Sequence, residues 1–394
     1  MAIRVGVGTS KRADSFRAGR DAASLAKEMM GRGAPDLTIV FASVIFDQEQ
    51  MLKGVRSAVG ETPLVGCSGA GEITGQGPDK KSIAVMTLAS DSLQSVIGLG
   101  QAISRNAREA GQQAAKEAAS LGQQMRQVFM MMPDGLRGNG ADIVRGVQEI
   151  LGRSFPIVGG SAGDDFLFKQ TFQYYNDRVL SDAVCGVLFG GNVTVAIGAR
   201  HGWRTLGKPR VVTMASANVI YEIDGRSAVE IYEEYFGKDT AELKEEPLAR
   251  MAILYPLGMG VPGEEEYLLR NALRAEDNGS LVCAAEVPEG SEVRLMMGSR
   301  DACVEAARTA AHQALNTMGD ASAKVAIVFS SISRYKLLGR RGGLEIDAIR
   351  SVLGEDVPII GFYTYGEQAP LRAEMNVGQS YFQNEAVVIL AIGE

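Results

Sequence analysis

The chain has 394 residues, 46% hydrophobic and 22% charged, with 47 glycines but only two histidines, four cysteines and one tryptophan. At roughly 100–200 residues per domain this length predicts two or three domains, and the composition excludes disorder and collagen-like repeats. A net charge of −7 argues against a nucleic-acid binder, whose affinity rests on clustered Lys and Arg.

The start of the chain, Met1 to Gly8, lacks the apolar core of a leader peptide, and no apolar run approaches the ~18 residues needed to cross a bilayer. The expectation is a cytoplasmic protein without membrane insertion. A first unit then follows: a strand over Arg4–Thr9, a helix over Ser15–Met30 and a strand over Leu37–Ala42. In that helix Ala22, Leu25, Ala26 and Met29 fall at spacings that predict one apolar face. A short helix ending near Gly60 leads to Pro63-Leu-Val-Gly-Cys-Ser-Gly-Ala-Gly-Glu72 and an apolar strand over Ser82–Ala89. The same order returns in a strand at Gln94–Gly100, a helix at Ser104–Leu121, a strand at Gln127–Met132 and a helix ending near Gly152. Pro156-Ile-Val-Gly-Gly-Ser-Ala-Gly-Asp-Asp165 and Ala183–Phe189 complete that second unit.

Residues 192–292 break the pattern. Val193–Gly198 resembles the first strand of a unit, but Arg200–Pro209 stands where the long helix belongs. A strand over Asn218–Gly225 and a helix over Ser227–Tyr235 follow, so a domain seam is expected near residue 215. The third unit is read from Val293–Gly298, Ala302–Met318 and Lys324–Phe329. It continues through Pro358-Ile-Ile-Gly-Phe-Tyr-Thr-Tyr-Gly-Glu367 to Ala386–Ile392. The expected fold is therefore α/β, of two domains, repeat-built from β-α-β-α-β-β units with mixed sheets covered by helices.

Taken in order, the two Gly-rich segments of the first half, the His201-Gly-Trp203 turn, Asn218–Ala228 and Gly361–Glu367 resemble the FIST family. The resemblance implies an N-terminal FIST domain over residues 1–215 and a C-terminal one over 216–394. It also implies a bacterial or archaeal sensory module that binds a small molecule, an amino acid or another small metabolite. Such a module signals to a histidine kinase, a cyclic-di-nucleotide enzyme or a chemoreceptor; with no such segment in this chain, a separate partner is expected. One branch of the family binds haem and senses nitric oxide.

Strand ends rich in glycine bring backbone N–H groups close to a ligand, and Glu72, Asp164, Asp165 and Glu367 add acceptors for an ammonium or hydroxyl, with Tyr365 as an aromatic wall. His201, Trp203 and Arg204 crowd into one turn whose ring, cation and titratable nitrogen suit an anionic or zwitterionic ligand. Were haem bound, His201 would be its axial metal ligand.

Gly159-Gly-Ser161-Ala-Gly163 matches the G-x-S-x-G elbow of a serine hydrolase, but the residues after it lack a helical pattern. Aligned units place Gly69 and Thr364 at its position, so a repeated turn explains the match better. Cys67, Cys185, Cys283 and Cys303 show no metal spacing and read as buried thiols. The basic run Arg334–Arg341 reads as a solvated loop. Abundant glycine and scarce histidine point to a binding scaffold and not to an enzyme.

Overall fold

A computed structural model of the chain describes residues 3–119, 126–237, 248–371 and 378–394. The first unit runs β1 (Arg4–Ser10), α1 (Ser15–Met30), β2 (Leu37–Ala42), α2 (Gln48–Val59), β3 (Leu64–Ser68), a hairpin β4 (Glu72–Thr74) and β5 (Gly77–Asp79), and β6 (Ile83–Ala89). The second repeats it as β7 (Leu93–Gln101), α3 (Ala107–Ala118), β8 (Arg126–Pro133), α4 (Gly140–Leu151), β9 (Ile157–Gly160), the hairpin β10 (Gln173–Tyr175) and β11 (Arg178–Leu180), and β12 (Ala183–Gly191). Residues 120 and 121, the end of the helix expected over Ser104–Leu121, lie outside the described residues.

The third unit opens with β13 (Thr194–Arg200) and resumes about a hundred residues later with α5 (Arg300–Met318), β14 (Ala323–Ser331), α6 (Ile332–Leu338), α7 (Gly343–Leu353) and β15 (Ile359–Thr364). It ends with the hairpin β16 (Glu367–Pro370) and β17 (Ser380–Gln383), and β18 (Val387–Gly393). The segment between β13 and α5 forms its own nine-stranded sheet. Val293–Gly298 is therefore not the first strand of the third unit, because Glu292–Met297 pairs inside that inserted sheet. Thr194–Arg200 takes the place instead, antiparallel to β18.

Each unit supplies four strands to a mixed sheet, and the next unit around supplies the last two. The orders are β1-β6-β2-β3-β10-β11, β7-β12-β8-β9-β16-β17 and β13-β18-β14-β15-β4-β5. The hairpin of unit two thus completes the sheet of unit one, that of unit three completes unit two, and that of unit one completes unit three. The exchange closes the three units into a ring with a pseudo-threefold axis. Phe41, Cys67, Met130, Cys185, Phe329 and Phe362 belong to the largest apolar cluster, which joins all three sheets.

The repeated Pro-aliphatic-aliphatic-Gly pattern has a steric cause. A Cβ on Gly66, Gly159 or Gly361 would lie 1.9 Å from the carbonyl oxygen of Val40, Met131 or Val328 on the neighbouring parallel strand. Glycine in the opening strands acts likewise toward the helices: a Cβ on Gly8, Gly100 or Gly198 would meet a helix carbonyl at 2.2, 1.9 or 1.8 Å. The helices therefore lie flush on the sheets through alanine. The buried face of α1 is Ala18, Gly19, Ala22, Ala23, Ala26 and Met30, whereas Leu25 and Met29 are 41% and 62% exposed. The face expected from Leu25 and Met29 is corrected accordingly, since a strand bearing glycine admits only small side chains.

All four cysteines are free and buried, and no group of three or more His, Cys, Asp or Glu able to hold a metal occurs among the described residues. No described helix is long and apolar enough to cross a membrane.

Candidate site at the ring axis

The three Gly-rich segments meet where β3, β9 and β15 end. Ala70, Gly163 and Tyr365 each donate their backbone N–H to the carbonyl of Tyr363, Ser68 and Ser161, at 2.9, 2.9 and 3.0 Å. In return Tyr363, Ser161 and Ser68 donate to the carbonyls of Gly71, Gly366 and Phe172, at 2.8, 2.7 and 2.9 Å. Six equivalent bonds, each worth about 1 kcal/mol net, tie the units together head to tail. They set the correspondence Ser68–Ser161–Tyr363, which corrects the alignment of Ser161 with Gly69 and Thr364.

Ser161 is 2% exposed, its hydroxyl oxygen accepts from Gln368 Nε2 at 3.1 Å, and no helix lies between β9 and β10. A nucleophile elbow needs a strand-to-helix turn and a base on the hydroxyl. This turn has neither among the described residues.

Glu72, Gln173 and Glu367 occupy one equivalent position, the first residue of each exchanged hairpin, and all three are fully buried. Ser82 donates its backbone N–H (3.3 Å) and its hydroxyl to Glu72 Oε2. Ala386 N–H (3.0 Å) and the Thr364 hydroxyl donate to Glu367. Burial pushes both carboxyl groups up to about 8. These acids anchor hairpins and are closed to solvent.

Asp164 is 1% exposed and organises a loop. Its carboxylate accepts the backbone N–H of Phe168, Lys169 and Gln170 at 2.9, 2.6 and 3.0 Å, and the Tyr365 hydroxyl at 2.5 Å. Tyr365 stacks on Phe168 with ring centroids 5.0 Å apart. The loop it holds is strained: Asp165, Phe166 and Phe168 all take positive φ, at 55°, 69° and 54°, each costing about 1–3 kcal/mol. Phe166, Leu167 and Phe168 are exposed.

Beside this loop lies a cavity of about 120 Å3 lined by Ala70, Lys80, Lys81, Asp165, Phe166, Ile332, Tyr335 and Lys336. Two departures from the repeat converge here. In unit two the connection from β9 to its hairpin is extended to twelve residues, bringing Asp165 and Phe166; in unit three the helix α6 follows β14 directly, bringing Tyr335 and Lys336. The wall from unit one is the corner before β6. Lys81, Asp182 and Glu385 are equivalent corners, with φ of 53°, 57° and 60°. Asp182 accepts from the Ser104 N–H and hydroxyl, both at 2.7 Å, and Glu385 is fully buried. Lys81 is exposed and faces the cavity. Asp165 Oδ2 accepts from Ser43 Oγ at 2.6 Å, and burial raises its carboxyl above the usual range.

Of the expected site residues, only Asp165 lines this cavity, with Asp164 and Tyr365 supporting its loop. His201, Trp203 and Arg204 lie where unit three meets the inserted sheet. His201 is 7% exposed; Nδ1 accepts the Trp203 backbone N–H at 2.9 Å, and Nε2 stands 3.3 Å from Glu266 Oε1. Burial, with the charges of Arg334 and Arg200, pushes the imidazole down to about 3. A neutral ring whose Nδ1 lone pair is occupied carries its proton on Nε2 and has no nitrogen free for iron. Haem does not fit at His201. The Trp203 indole donates to the Ile253 carbonyl at 3.1 Å and packs on Leu269, Met296 and Cys303, while Arg204 is exposed on a two-residue strand.

Lys80 and Lys81 escaped the sequence reading, and Tyr335 and Lys336 entered it only within the basic run Arg334–Arg341. The run Arg334–Arg341 is not one solvated loop. It opens inside α6, where Arg334 is fully buried and donates Nε to Glu345 at 2.7 Å, and only the later residues reach solvent.

The sequence matches the FIST N domain over residues 36–226 and the FIST C domain over residues 228–370. The chain belongs to the FIST family. FIST domains are sensory domains of signal transduction that respond to small ligands. This FIST protein is 26% identical over 379 residues to an uncharacterised protein of Mycobacterium tuberculosis strain H37Rv, covering 94% of this chain and 95% of the relative. It is 26% identical over 298 residues to an uncharacterised protein of Methanocaldococcus jannaschii, covering 68% of this chain and 55% of that one, so the match spans about half the archaeal relative's length.

Among solved structures, a chorismatase is similar at a TM-score of 0.38 and 9% identity, over 100% of both chains. A cyanuric acid hydrolase is similar at 0.34 and 10% identity, over 99% of this chain and 100% of the other. Both neighbours are enzymes by title, and the expectation that the chain is not an enzyme is withdrawn. Scarce histidine was never sufficient ground for it, because hydroxyls, lysines and carboxylates also carry acid–base chemistry. Likenesses this distant assign no reaction.

Proposed function

We propose that this FIST protein is a cytosolic sensor that binds a small polar metabolite in the cavity beside Asp165. Occupancy is passed to a separate signalling protein such as a histidine kinase or a cyclic-di-nucleotide enzyme. One observation carries the reading: the two segments that depart from the threefold repeat, 161–172 and 332–338, converge on a single cavity whose third wall is Lys80 and Lys81. Repeat symmetry asks for neither departure, and although α6 also carries the buried Arg334, its Tyr335 and Lys336 face the cavity.

The loop also has the means to report. Three residues held at positive φ store strain that a ligand touching Asp165 and Phe166 relieves or deepens, biasing the loop between two arrangements. Phe166, Leu167 and Phe168 then change what they present at the surface. Residues of all three units line the cavity, so a ligand in it touches each of them.

The reading is tested by a thermal-shift screen of small metabolites. A ligand at 100 times its Kd adds about 2.7 kcal/mol of stability, a shift readily measured. The expected hit slows amide hydrogen exchange at residues 165–170 and 332–338. A hit whose shift is unchanged in Asp165→Ala and equally unchanged in Lys336→Ala, each tested singly, overturns the assignment of the cavity.

A further inference from the structure

We infer that the cavity takes a small dianion, a molecule with two negative charges on carboxylate or phosphate oxygens. The inference rests on the cavity being the sensory site. Its ground is charge: Lys80, Lys81 and Lys336 bring three ammonium groups to the walls, and Asp165 is the single carboxylate. Three positive charges less one negative leave two, and the complement is a dianion.

Lys80 and Lys336 are held without being neutralised. Lys336 Nζ stands 3.9 Å from the Phe166 ring centroid and Lys80 Nζ 4.8 Å from that of Tyr335. A ring face orients an ammonium through its quadrupole and leaves the N–H groups free to donate. Among the described residues no carboxylate lies within 4.0 Å of any of the three ammonium groups, the Asp165 carboxylate meeting Lys81 only at longer range, whereas Lys11 and Lys53 pair with Asp79 and Glu49. On a chain with 47 acidic residues against 40 basic ones, three unpaired lysines around one cavity run against the overall balance. They also repel one another: the Lys336 ammonium is pushed down by burial and by the charges of Lys80 and Arg250. An anion between them removes that repulsion.

Size narrows the class. The 120 Å3 cavity is well below the roughly 300–1,000 Å3 of sites for drug-sized ligands, so a short dicarboxylate or a compact phosphate is favoured over a nucleotide. Because Lys80 and Lys81 come from unit one and Lys336 from unit three, ammonium groups of two units address the ligand. Such a ligand bridges two units as it binds.

The test uses the full chain and two probes, sodium succinate and inorganic phosphate, titrated separately at constant ionic strength while thermal unfolding is followed. One of them should raise Tm: succinate alone marks a dicarboxylate site, phosphate alone a phosphoryl site. The double variant Lys81→Gln/Lys336→Gln, altered only at exposed residues, should need at least tenfold more probe for the same shift. Asp165→Asn, which makes the cavity more positive, should need less.

Equal shifts in wild type and the double variant, or no shift with either probe, overturn the dianion. A shift given instead by methylammonium and abolished in Asp165→Asn overturns the dianion while leaving the cavity as the sensory site. Insensitivity of every bound probe to Asp165, Lys81 and Lys336 removes both.

Discussion

Glu72 and Glu367 hold the same position in units one and three, yet they are satisfied differently. The Thr364 hydroxyl donates to Glu367 Oε1, but its equivalent in unit one is Gly69, and Glu72 Oε1 is left without a partner. A Cβ added at Gly69 would lie 3.3 Å from that oxygen. In unit two the position is Gln173, which carries no charge at all. The ring thus shows three solutions to one buried polar position: Glu367 has a donor on each oxygen, Glu72 on one, and neutral Gln173 avoids a charge while both of its amide atoms lack a partner.

This difference has a pH signature. Burial raises the Glu72 carboxyl from an ordinary value near 4.5 to about 8, so the folded state holds a proton that the unfolded chain has released. Between those values the folded state binds more protons, and stability falls as pH rises. Glu72→Gln, which copies unit two, should abolish this contribution. Urea unfolding at pH 5.5 and 8 should show the variant gaining about 1–3 kcal/mol over wild type at pH 8, each unit of displacement being worth about 1.4 kcal/mol, and little at pH 5.5. An equal change at both pH values would mean that Glu72 does not titrate in this range.

His201 acts with the opposite sign. Its pKa is pushed down to about 3 in the fold, so the unfolded chain takes up the proton first and stability is lost as pH falls below about 6.5. With only two histidines in the chain, nitrogen-15 NMR of the imidazoles separates them readily. His201 should keep a single Nε2–H tautomer from pH 5 to 8. Titration of the His201 ring near pH 6.5 would contradict its burial and its hydrogen bond to Trp203.

The repeating strands and helices were legible because each unit is long and its aliphatic strands are continuous. The exchanged hairpins were not. β4 and β16 have three and four residues, and their partners β15 and β9 lie some 290 and 210 positions away in sequence, so no local pattern announces them. The helix face was misjudged because Leu25 and Met29 outweigh alanine on any hydrophobicity scale, while Gly6 and Gly8 on the facing strand admit only alanine. The cavity was invisible for a related reason: Lys81, Asp165 and Lys336 come from three different units, and only the closed ring brings them together. His201-Gly-Trp203 drew attention as a dense turn, and that density serves packing.

The glycines of the repeated motif lend themselves to a paired test. Gly361→Ala places a Cβ 1.9 Å from the Val328 carbonyl oxygen, which no rotamer relieves, and should destabilise by about 1–3 kcal/mol through forced strand separation. Gly343→Ala, at the first position of α7 with open space around it, should be neutral or stabilise by up to about 1 kcal/mol. Chemical denaturation of the two variants beside wild type decides it, and equal effects would dissociate the motif from strand contact.

Arg334 offers a larger effect. It is fully buried with Glu345, and it donates further to the carbonyls of His201 at 2.6 Å and Cys303 at 2.7 Å. Arg334→Leu leaves Glu345 charged and unpaired, a loss of about 3–5 kcal/mol. Adding Glu345→Leu should return a good part of it, because the desolvated carboxylate goes with its partner. The sign of the coupling in this double-mutant cycle is the check; additive losses would show that the two side chains do not act as a pair.

Asp164 is the residue on which the strained loop depends. Three backbone N–H groups and the Tyr365 hydroxyl converge on its carboxylate, and the residues it holds include the left-handed Phe166 and Phe168. Removing the acceptor frees the loop to relax toward ordinary backbone angles. Asp164→Ala should therefore cost about 1–3 kcal/mol of global stability and open residues 165–170 to proteolysis far more than that loss alone explains. Tyr365→Phe removes one donor but keeps the ring stacked on Phe168 at 5.0 Å, so the loop should stay protected. Measured by limited chymotrypsin cleavage at Phe166–Phe168, the two variants separate the carboxylate's hold on the backbone from the aromatic stack. Cleavage that rises equally in both would place the restraint in the stack.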